Sequence, residues 1–181
     1  MDLRNGFDIR RYIRTIPDYP KPGILFRDIT TLISHGKGFS ACVDHLASRA
    51  RAAGAETIAG MEARGFIFGA AAAAQLGIGF LPVRKAGKLP VPTIGIDYAL
   101  EYGSDRLEID PGGLRSGSRV VIVDDLIATG GTAIATTTLL RQAGARIDHA
   151  LFVIDLPDLG GAERLRAAGV IVDALMDFPG H

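Results

Sequence analysis

The chain has 181 residues, 48% of them hydrophobic, and its 20 Lys and Arg residues balance its 20 Asp and Glu residues. This composition is that of an ordinary globular protein and excludes a disordered chain, while a formal charge of zero gives no support to nucleic-acid binding through overall electrostatics. One domain, residues 1–181, is the simplest organisation for this length.

The only cysteine, Cys42, excludes an internal disulfide framework and suits a reducing compartment. The first residues lack the apolar core of a secretory signal, and the longest run of small apolar residues, 67–76, is too short to span a bilayer. We therefore expect a cytoplasmic protein without membrane or nucleic-acid partners, in which Cys42 packs on the apolar face of a helix.

Apolar runs alternate with helical patterns, which predicts an α/β fold with a mostly parallel twisted sheet flanked by helices. Glycines mark four expected helix ends, at Gly54, Gly77, Gly144 and Gly169. The polar stretch 85–108 breaks this rhythm and predicts a flexible hairpin. We predict helices at 5–14, 37–53, 65–76, 131–143 and 160–168, and strands near 56–61, 78–83, 93–98, 106–110, 119–124, 147–154 and 170–173.

The first distinctive segment, 19–28, combines prolines with the apolar residues Ile24, Leu25 and Phe26. One interpretation is ordinary packing of these apolar side chains. The other is a cover over a flat aromatic ligand whose edge is bound by backbone groups. The residues themselves do not separate the two.

Cations follow the next two predicted strands. Arg64 precedes a helix, and since the helix dipole opposes a guanidinium at that end, Arg64 indicates an anion bound between them. The alternative is a salt bridge with Glu62. Arg84, Lys85 and Lys88 form a basic run, which is either a solvated loop or a binding site for a highly charged group such as pyrophosphate.

The most informative segment is 119–132. Four apolar residues, 120–123, predict a strand buried on both faces and ending at Asp124 and Asp125, and the small-residue turn 128–132 then begins a helix. Backbone N–H groups at such a turn bind phosphate, and the two carboxylates can accept hydrogen bonds from sugar hydroxyls. This order predicts a ribose 5-phosphate site; the alternative is a tight turn after a solvated strand end. Neither a P-loop nor a dinucleotide-binding glycine pattern is present.

The chain resembles the adenine phosphoribosyltransferase family, a branch of the type I phosphoribosyltransferases. The Asp-Asp-x-x-x-Thr-Gly-Gly-Thr motif at 124–132 is typical of type I enzymes in general, whereas the Pro-Gly-Ile-Leu-Phe-Arg segment at 22–27 and Leu-Glu-Tyr-Gly at 100–103 are typical of the adenine branch. Segments 63–66 and 84–90 also match, and all stand in the family's order.

The resemblance implies transfer of a 5-phosphoribosyl group from 5-phosphoribosyl 1-pyrophosphate (PRPP) to adenine, giving AMP and pyrophosphate in purine salvage. It implies Mg²⁺ carried mainly by PRPP and pyrophosphate oxygens, without a dedicated protein metal site. It also implies a homodimer, an N-terminal hood over the base (about 1–35) and a flexible catalytic loop (about 85–110). In the family the bond before the residue that matches Arg64 is often cis, and the sequence leaves the state of the Ala63–Arg64 bond open.

The resemblance also implies a role for each matching residue. Glu101 would be the catalytic acid/base, Asp124 and Asp125 would bind the ribose hydroxyls, and Leu25 and Arg27 would bind adenine. The pyrophosphate would be bound by Arg64, Arg84, Lys85 and Lys88, and the 5-phosphate by Ala128, Thr129, Gly130, Gly131 and Thr132.

Two other functions are compatible with parts of this pattern. One is a phosphoribosyltransferase for a 6-oxo purine, which needs a donor where adenine needs an acceptor. The other is a PRPP-binding transcription regulator, which is disfavoured by the zero net charge and the short segment before Arg14. The region after Leu156 has no diagnostic motif, and we expect a loosely held tail at 177–181.

Overall fold

Two β-sheets make up the framework of the computed structural model, which describes residues 8–99 and 103–180. The elements are β1 (Arg14–Pro17), β2 (Leu25–Asp28), α1 (Thr30–Ile33), α2 (Gly36–Ala52), β3 (Thr57–Met61), α3 (Arg64–Leu76), β4 (Gly79–Lys85), β5 (Ile94–Ala99), β6 (Ser104–Ile109), β7 (Arg119–Ile127), α4 (Gly131–Gln142), β8 (Arg146–Asp155), α5 (Gly161–Ala167) and β9 (Ile171–Asp177). Short 3₁₀ turns occupy Ile9–Tyr12, Pro111–Gly113 and Pro157–Leu159.

The larger sheet has seven strands in the order β5-β6-β4-β3-β7-β8-β9. The strands from β4 to β9 in this order are parallel, and the antiparallel hairpin β5–β6 extends one edge by pairing with β4. The chain proceeds outward from β3 to β4 on one side and from β7 to β8 on the other. The strand order therefore reverses between β3 and β7, and such a switch point is where open α/β sheets bind ligands.

Both faces of this sheet are covered. In β7, Val120 and Ile122 belong to one core with residues of α4 and α5, whereas Val121 and Val123 belong to a second core with residues of α2 and α3. This alternation explains why the run 120–123 is entirely apolar, and it confirms the predicted α/β class. Cys42 is buried in α2, as predicted.

The glycines predicted to mark helix ends all have left-handed backbone conformations. Their φ angles are 70° at Gly54, 68° at Gly77, 91° at Gly144 and 78° at Gly169. A side chain is disfavoured in this conformation, so glycine ends each helix at little steric cost. None of the helices in the described ranges has the length and hydrophobicity that crossing a membrane requires.

The N-terminal region differs from the prediction. The helix expected at 5–14 is, in its described part, a 3₁₀ turn followed by β1, and β1 pairs with β2 as a separate two-stranded antiparallel sheet. Strands of four residues carry too little alternation to be recognised from sequence, which is why this pair was missed. Residues 14–28, which comprise β1, β2 and the turn between them, lie within the N-terminal hood expected at about 1–35, and the word hood refers below to these residues.

Two further expectations were wrong. Strand β7 does not end at Asp124 but continues to Ile127, because β8 offers backbone partners as far as Asp155. The C-terminal residues are not a loose tail within the described range: Phe178 donates its N–H to the Asp155 carbonyl (3.0 Å), and Gly180 donates its N–H to Asp158 Oδ2 (2.7 Å).

Candidate functional site

A pocket of about 320 Å³ opens at the carboxyl ends of β3 and β7, where the strand order reverses. Among its lining residues are most of those predicted to bind PRPP, namely Arg64, Lys85, Asp124, Asp125, Ala128, Thr129, Gly130, Gly131 and Thr132. Residues that sequence reasoning did not assign complete the lining: Met61, Glu62, Ala63, Tyr98, Asp105, Leu107, Leu126, Ile127 and Ala133.

The turn from β7 into α4 forms one wall of the pocket. Gly130 has a φ of +80° and directly precedes α4, which begins at Gly131. The first N–H groups of a helix have no partner within it, and they lie at the positive end of the helix dipole. Because Gly131, Thr132 and Ala133 all line the pocket, this end of α4 is suited to binding an anion.

The start of α5 packs against this turn. Gly161 donates its N–H to the Ala128 carbonyl at 3.0 Å, and a Cβ added to Gly161 would lie only 2.2 Å from that oxygen. A Cβ on Gly130 would in turn lie 2.9 Å from the Gly161 Cα. Sequence reasoning missed Gly161; the signal was the Gly-Gly pair at 160–161 between a strand and a helix.

Asp124 and Asp125 lie side by side in β7. Asp124 Oδ1 accepts a hydrogen bond from the Asp125 N–H at 2.9 Å, and Asp125 is 3% exposed. Burial, followed by the nearby Asp125 charge, raises the pKa of Asp124 well above its usual value. Burial also raises the pKa of Asp125, and the Arg64 charge opposes that increase.

Helix α3 begins directly against this acidic pair. A Cβ on Gly65 would lie 2.6 Å from Asp124 Oδ1 and 3.0 Å from the Val123 carbonyl oxygen. Only glycine permits so close an approach, and no role for Gly65 was recognised from the sequence.

Arg64 connects the acidic pair to the hood. Its Nε lies 2.9 Å from Asp125 Oδ2, and its Cζ lies 5.6 Å from the centre of the Phe26 ring. The alternative that Arg64 forms a salt bridge with Glu62 is wrong, because Glu62 instead accepts a hydrogen bond from Arg84 Nε at 3.0 Å. The Arg64 side chain is 43% exposed, so it remains accessible to a ligand.

Two of the other predicted cations, Arg84 and Lys85, are held by carboxylates. Lys85 Nζ lies 2.9 Å from Asp105 Oδ2, and hydrogen bonding to Asp105 raises the pKa of Lys85. The hydrogen bond from Arg84 lowers the pKa of Glu62. Arg84 and Lys88 do not line the pocket, so only two of the four predicted pyrophosphate ligands do.

The residues predicted to bind adenine lie in β2 and are also outside the pocket lining. Arg27 is 7% exposed, and its guanidinium donates hydrogen bonds to Thr15 Oγ1 and the Pro179 carbonyl. Leu25 is half-buried. Among the described residues, β2 pairs only with β1, so no described strand pairs with its other edge.

Two remaining points concern single positions. The catalytic candidate Glu101 lies outside the described residues. A cis peptide bond precedes α3 and joins Glu62 to Ala63, which answers the question that the sequence left open at Ala63–Arg64. Among residues 8–99 and 103–180, no group of three or more His, Cys, Asp or Glu side chains is arranged to hold a metal ion.

Comparison with known proteins identifies relatives over nearly the whole chain. The family model for the phosphoribosyl transferase domain matches residues 31–166. Adenine phosphoribosyltransferase of Novosphingobium aromaticivorans is 75% identical over 174 residues, covering 96% of this chain and 98% of the relative.

Solved structures agree with this match. The crystal structure of adenine phosphoribosyltransferase from Thermoanaerobacter pseudethanolicus has a TM-score of 0.88 and 45% identity, covering 94% of this chain and 98% of its own. The Saccharomyces cerevisiae enzyme, complexed with an imino-altritol bisphosphate and adenine, has a TM-score of 0.87 and 38% identity, with coverages of 92% and 96%.

Proposed function

This chain belongs to the adenine phosphoribosyltransferase family, and on that premise we propose how its pocket binds the substrates and supports the reaction. The enzyme transfers the 5-phosphoribosyl group of PRPP to adenine, giving AMP and pyrophosphate in purine salvage. The observation that carries the assignment of the site is the meeting of an acidic pair and a helix N-terminus in one pocket at the sheet's switch point.

The 5-phosphate binds the turn formed by Ala128, Thr129, Gly130, Gly131 and Thr132. Support comes from the free N–H groups at the start of α4 and from their position in the pocket. Gly161 keeps the turn in this shape from the opposite side.

Asp124 and Asp125 accept hydrogen bonds from the ribose 2- and 3-hydroxyls. A carboxylate buried without enough donors is destabilised, and the raised pKa values of both groups reflect this deficit. Sugar hydroxyls would supply the missing donors. The ribose is thereby oriented with its C1 toward the base.

Pyrophosphate binds Arg64, Arg84, Lys85 and Lys88. Arg64 and Lys85 line the pocket directly, and both are held by carboxylates, Asp125 and Asp105. Arg84 stands beside Lys85 at the end of β4, and Lys88 is exposed three residues later. These cations stabilise the negative charge that develops on the leaving oxygens when the bond from C1 breaks.

Adenine binds beneath the hood, in contact with Leu25 and with the Arg27 backbone. The edge of β2 that no described strand pairs with offers N–H and C=O groups that can hydrogen-bond to the edge of a purine ring. The contact between Phe26 and Arg64 brings this strand toward the pocket, where the ribose is held.

Glu101 acts as the acid/base. As N9 of adenine attacks C1, the carboxylate takes the proton from N7, and it returns that proton in the reverse reaction; such a group contributes about 10²–10⁴-fold. Glu101 belongs to the sequence joining β5 and β6, and these strands contribute Tyr98, Asp105 and Leu107 to the pocket lining. Closure of the predicted catalytic loop (about 85–110), which contains the β5–β6 hairpin, would exclude water from the activated sugar.

Mg²⁺ fits the donor chemistry of this pocket. The hard carboxylate oxygens of Asp124, Asp125 and Asp105 line it, and Mg²⁺ is commonly bound through one or two carboxylates together with water and substrate phosphates. Mg²⁺ carried by PRPP oxygens would neutralise part of the charge on the departing pyrophosphate.

Three further properties complete the proposal. Residues 1–181 form a single domain, the enzyme is a homodimer, and it works in the cytoplasm. The single, buried thiol of Cys42 suits a reducing compartment. The oligomeric state can be measured by sedimentation equilibrium.

A purine panel tests this function. The protein is mixed with PRPP and Mg²⁺ and offered adenine, hypoxanthine, guanine or xanthine, and nucleotide and pyrophosphate are quantified. We expect turnover with adenine alone. Turnover that favours a 6-oxo purine would contradict adenine specificity, and PRPP binding without pyrophosphate release would indicate a regulator.

A further inference from the structure

The C-terminal segment, defined here as Phe178, Pro179 and Gly180, packs against both residues assigned to adenine. Arg27 Nη2 donates a hydrogen bond to the Pro179 carbonyl at 2.6 Å, and Arg27 Cζ lies 4.8 Å from the centre of the Phe178 ring. A Cβ on Gly180 would lie 3.2 Å from Leu25 Cδ1. The C-terminal segment therefore packs against the side chains of Leu25 and Arg27 in β2.

The contact between β2 and the C-terminal segment depends mainly on the buried Arg27 side chain. A buried guanidinium is costly unless its N–H groups are hydrogen-bonded, and burial lowers the pKa of Arg27. Within the described residues, its hydrogen-bond acceptors are Thr15 of β1 and Pro179. The first contact lies inside the hood, so Pro179 is the one that joins Arg27 to the rest of the molecule.

The same segment is also joined to the strand ends. Phe178 donates to the Asp155 carbonyl at the end of β8, and Gly180 donates to Asp158 in the following turn. That turn leads into Gly161, whose N–H binds the Ala128 carbonyl of the proposed phosphate turn. A short series of hydrogen bonds thus runs from the hood to the phosphate turn.

We propose that the C-terminal segment is a positioning element for the base, with Phe178 as its principal positioning residue. By fixing β2 relative to the phosphate turn, it sets the distance between adenine N9 and ribose C1. This inference rests on the proposed function, because it requires that β2 covers adenine and that the turn holds PRPP.

The test is Phe178→Ala, with steady-state kinetics for each substrate. We expect the KM for adenine to rise at least fivefold while the KM for PRPP stays within twofold, because only the hood loses its support. Phe178→Tyr keeps the ring and should restore the wild-type values. Ile171→Ala is the matched control, since Ile171 lies on β9 but is 60% exposed.

A loss of stability is separated from a loss of positioning by Ile147→Ala. Ile147 is 1% exposed in the core that α4 and α5 share with the sheet, and it lies near the start of β8, at the end of that strand away from the pocket. Because this variant removes a buried side chain far from the hood, we expect it to lower the Tm at least as much as Phe178→Ala without raising the KM for adenine. Phe178→Leu removes the ring face and replaces the alanine variant if that variant does not fold.

The outcomes are distinct from those of the purine panel. If the wild type makes no AMP, the proposed function fails first. If the wild type is active but Phe178→Ala changes neither KM, or changes both equally, the positioning role is refuted. An equal rise in the adenine KM for Ile147→Ala would also refute it, because general destabilisation would then explain the effect.

Discussion

Asp124 is held in a place that is unfavourable for a carboxylate. Helix α3 approaches so closely at Gly65 that no side chain fits between them, and Asp125 lies next to it. The close packing removes water from Asp124, the Asp125 charge repels a second negative charge, and both effects raise the pKa of Asp124. Residues kept for binding often reduce stability in this way.

Asp124→Asn should therefore stabilise the protein at neutral pH while weakening PRPP binding. An unfolded Asp has a pKa of about 3.9. Since the pKa of Asp124 is higher in the folded state, that state keeps its proton up to a higher pH than the unfolded state does. The wild-type free energy of unfolding therefore falls as the pH rises from about 3.9 through the folded pKa. The variant lacks this decrease.

Urea unfolding at pH 4 and pH 7 measures the effect. We expect the variant to become more stable relative to wild type as the pH rises from 4 to 7. Calorimetry should show at least tenfold weaker PRPP binding. Asp148→Asn, at an exposed carboxylate of β8, is the control and should do neither. A variant that is less stable at pH 7 would show that Asp124 is not strained by burial.

Glu101→Gln tests the acid/base assignment at the same scale. The amide keeps the size of the side chain but cannot take a proton, so kcat should fall at least tenfold while PRPP affinity stays nearly unchanged. Steady-state kinetics and calorimetry measure the two quantities. Asp97→Asn, at an exposed carboxylate of β5, is the control. An unaltered kcat would remove Glu101 from this role.

At the scale of elements, the phosphate turn depends on a helix that lies outside its own β7–α4 unit. Helix α5 begins with Gly161, which meets the turn at Ala128 and Gly130. The turn thus lies between α4, which supplies N–H groups, and α5, whose Gly161 limits how far the turn can shift. This arrangement makes the geometry of the proposed anion site dependent on one glycine.

Gly161→Ala should displace the turn, because the new Cβ would lie 2.2 Å from a backbone oxygen that cannot move alone. We expect the KM for PRPP to rise at least tenfold, with a smaller change in the KM for adenine. Gly36→Ala is the control, since a Cβ at the start of α2 meets open space. If the KM for PRPP is unchanged, the support from α5 is not needed for binding.

At the scale of the whole molecule, the single cysteine reports on opening of the fold. Cys42 is completely buried between α2 and the sheet, and burial raises its pKa to about 12. A thiol reagent therefore reaches it only when the structure opens. The site proposed for PRPP lies elsewhere, at the ends of β3 and β7.

Labelling of Cys42 should slow when PRPP is bound. At a PRPP concentration 100 times its Kd, binding stabilises the fold by about 2.7 kcal/mol, which slows labelling through global unfolding about 100-fold. Mass spectrometry over time measures the rate, and labelling in urea confirms that the thiol is reactive. If the labelling rate does not change when PRPP is added, Cys42 is exposed by local opening of α2 and not by global unfolding.

Local sequence patterns were sufficient to predict the α/β class and the strand, turn and helix of the segment 119–132. Alternating apolar runs predicted the parallel sheet, and the order of strand, acidic pair and glycine-rich turn predicted that a helix, α4, begins directly after the turn. These features succeed because they depend on neighbours along the chain. Strand periodicity and helix termini are both set within about ten residues.

Only the tertiary structure decided which side chains meet. Arg64 pairs with Asp125 and not with Glu62, Gly161 supports Ala128, and Arg27 binds the carbonyl of Pro179, 152 residues away. No periodicity encodes such contacts, because they follow from the sheet order that places β3 beside β7 and from the return of β9 toward the hood. A sequence lists possible partners for a buried charge, but the choice among them depends on packing across the whole fold.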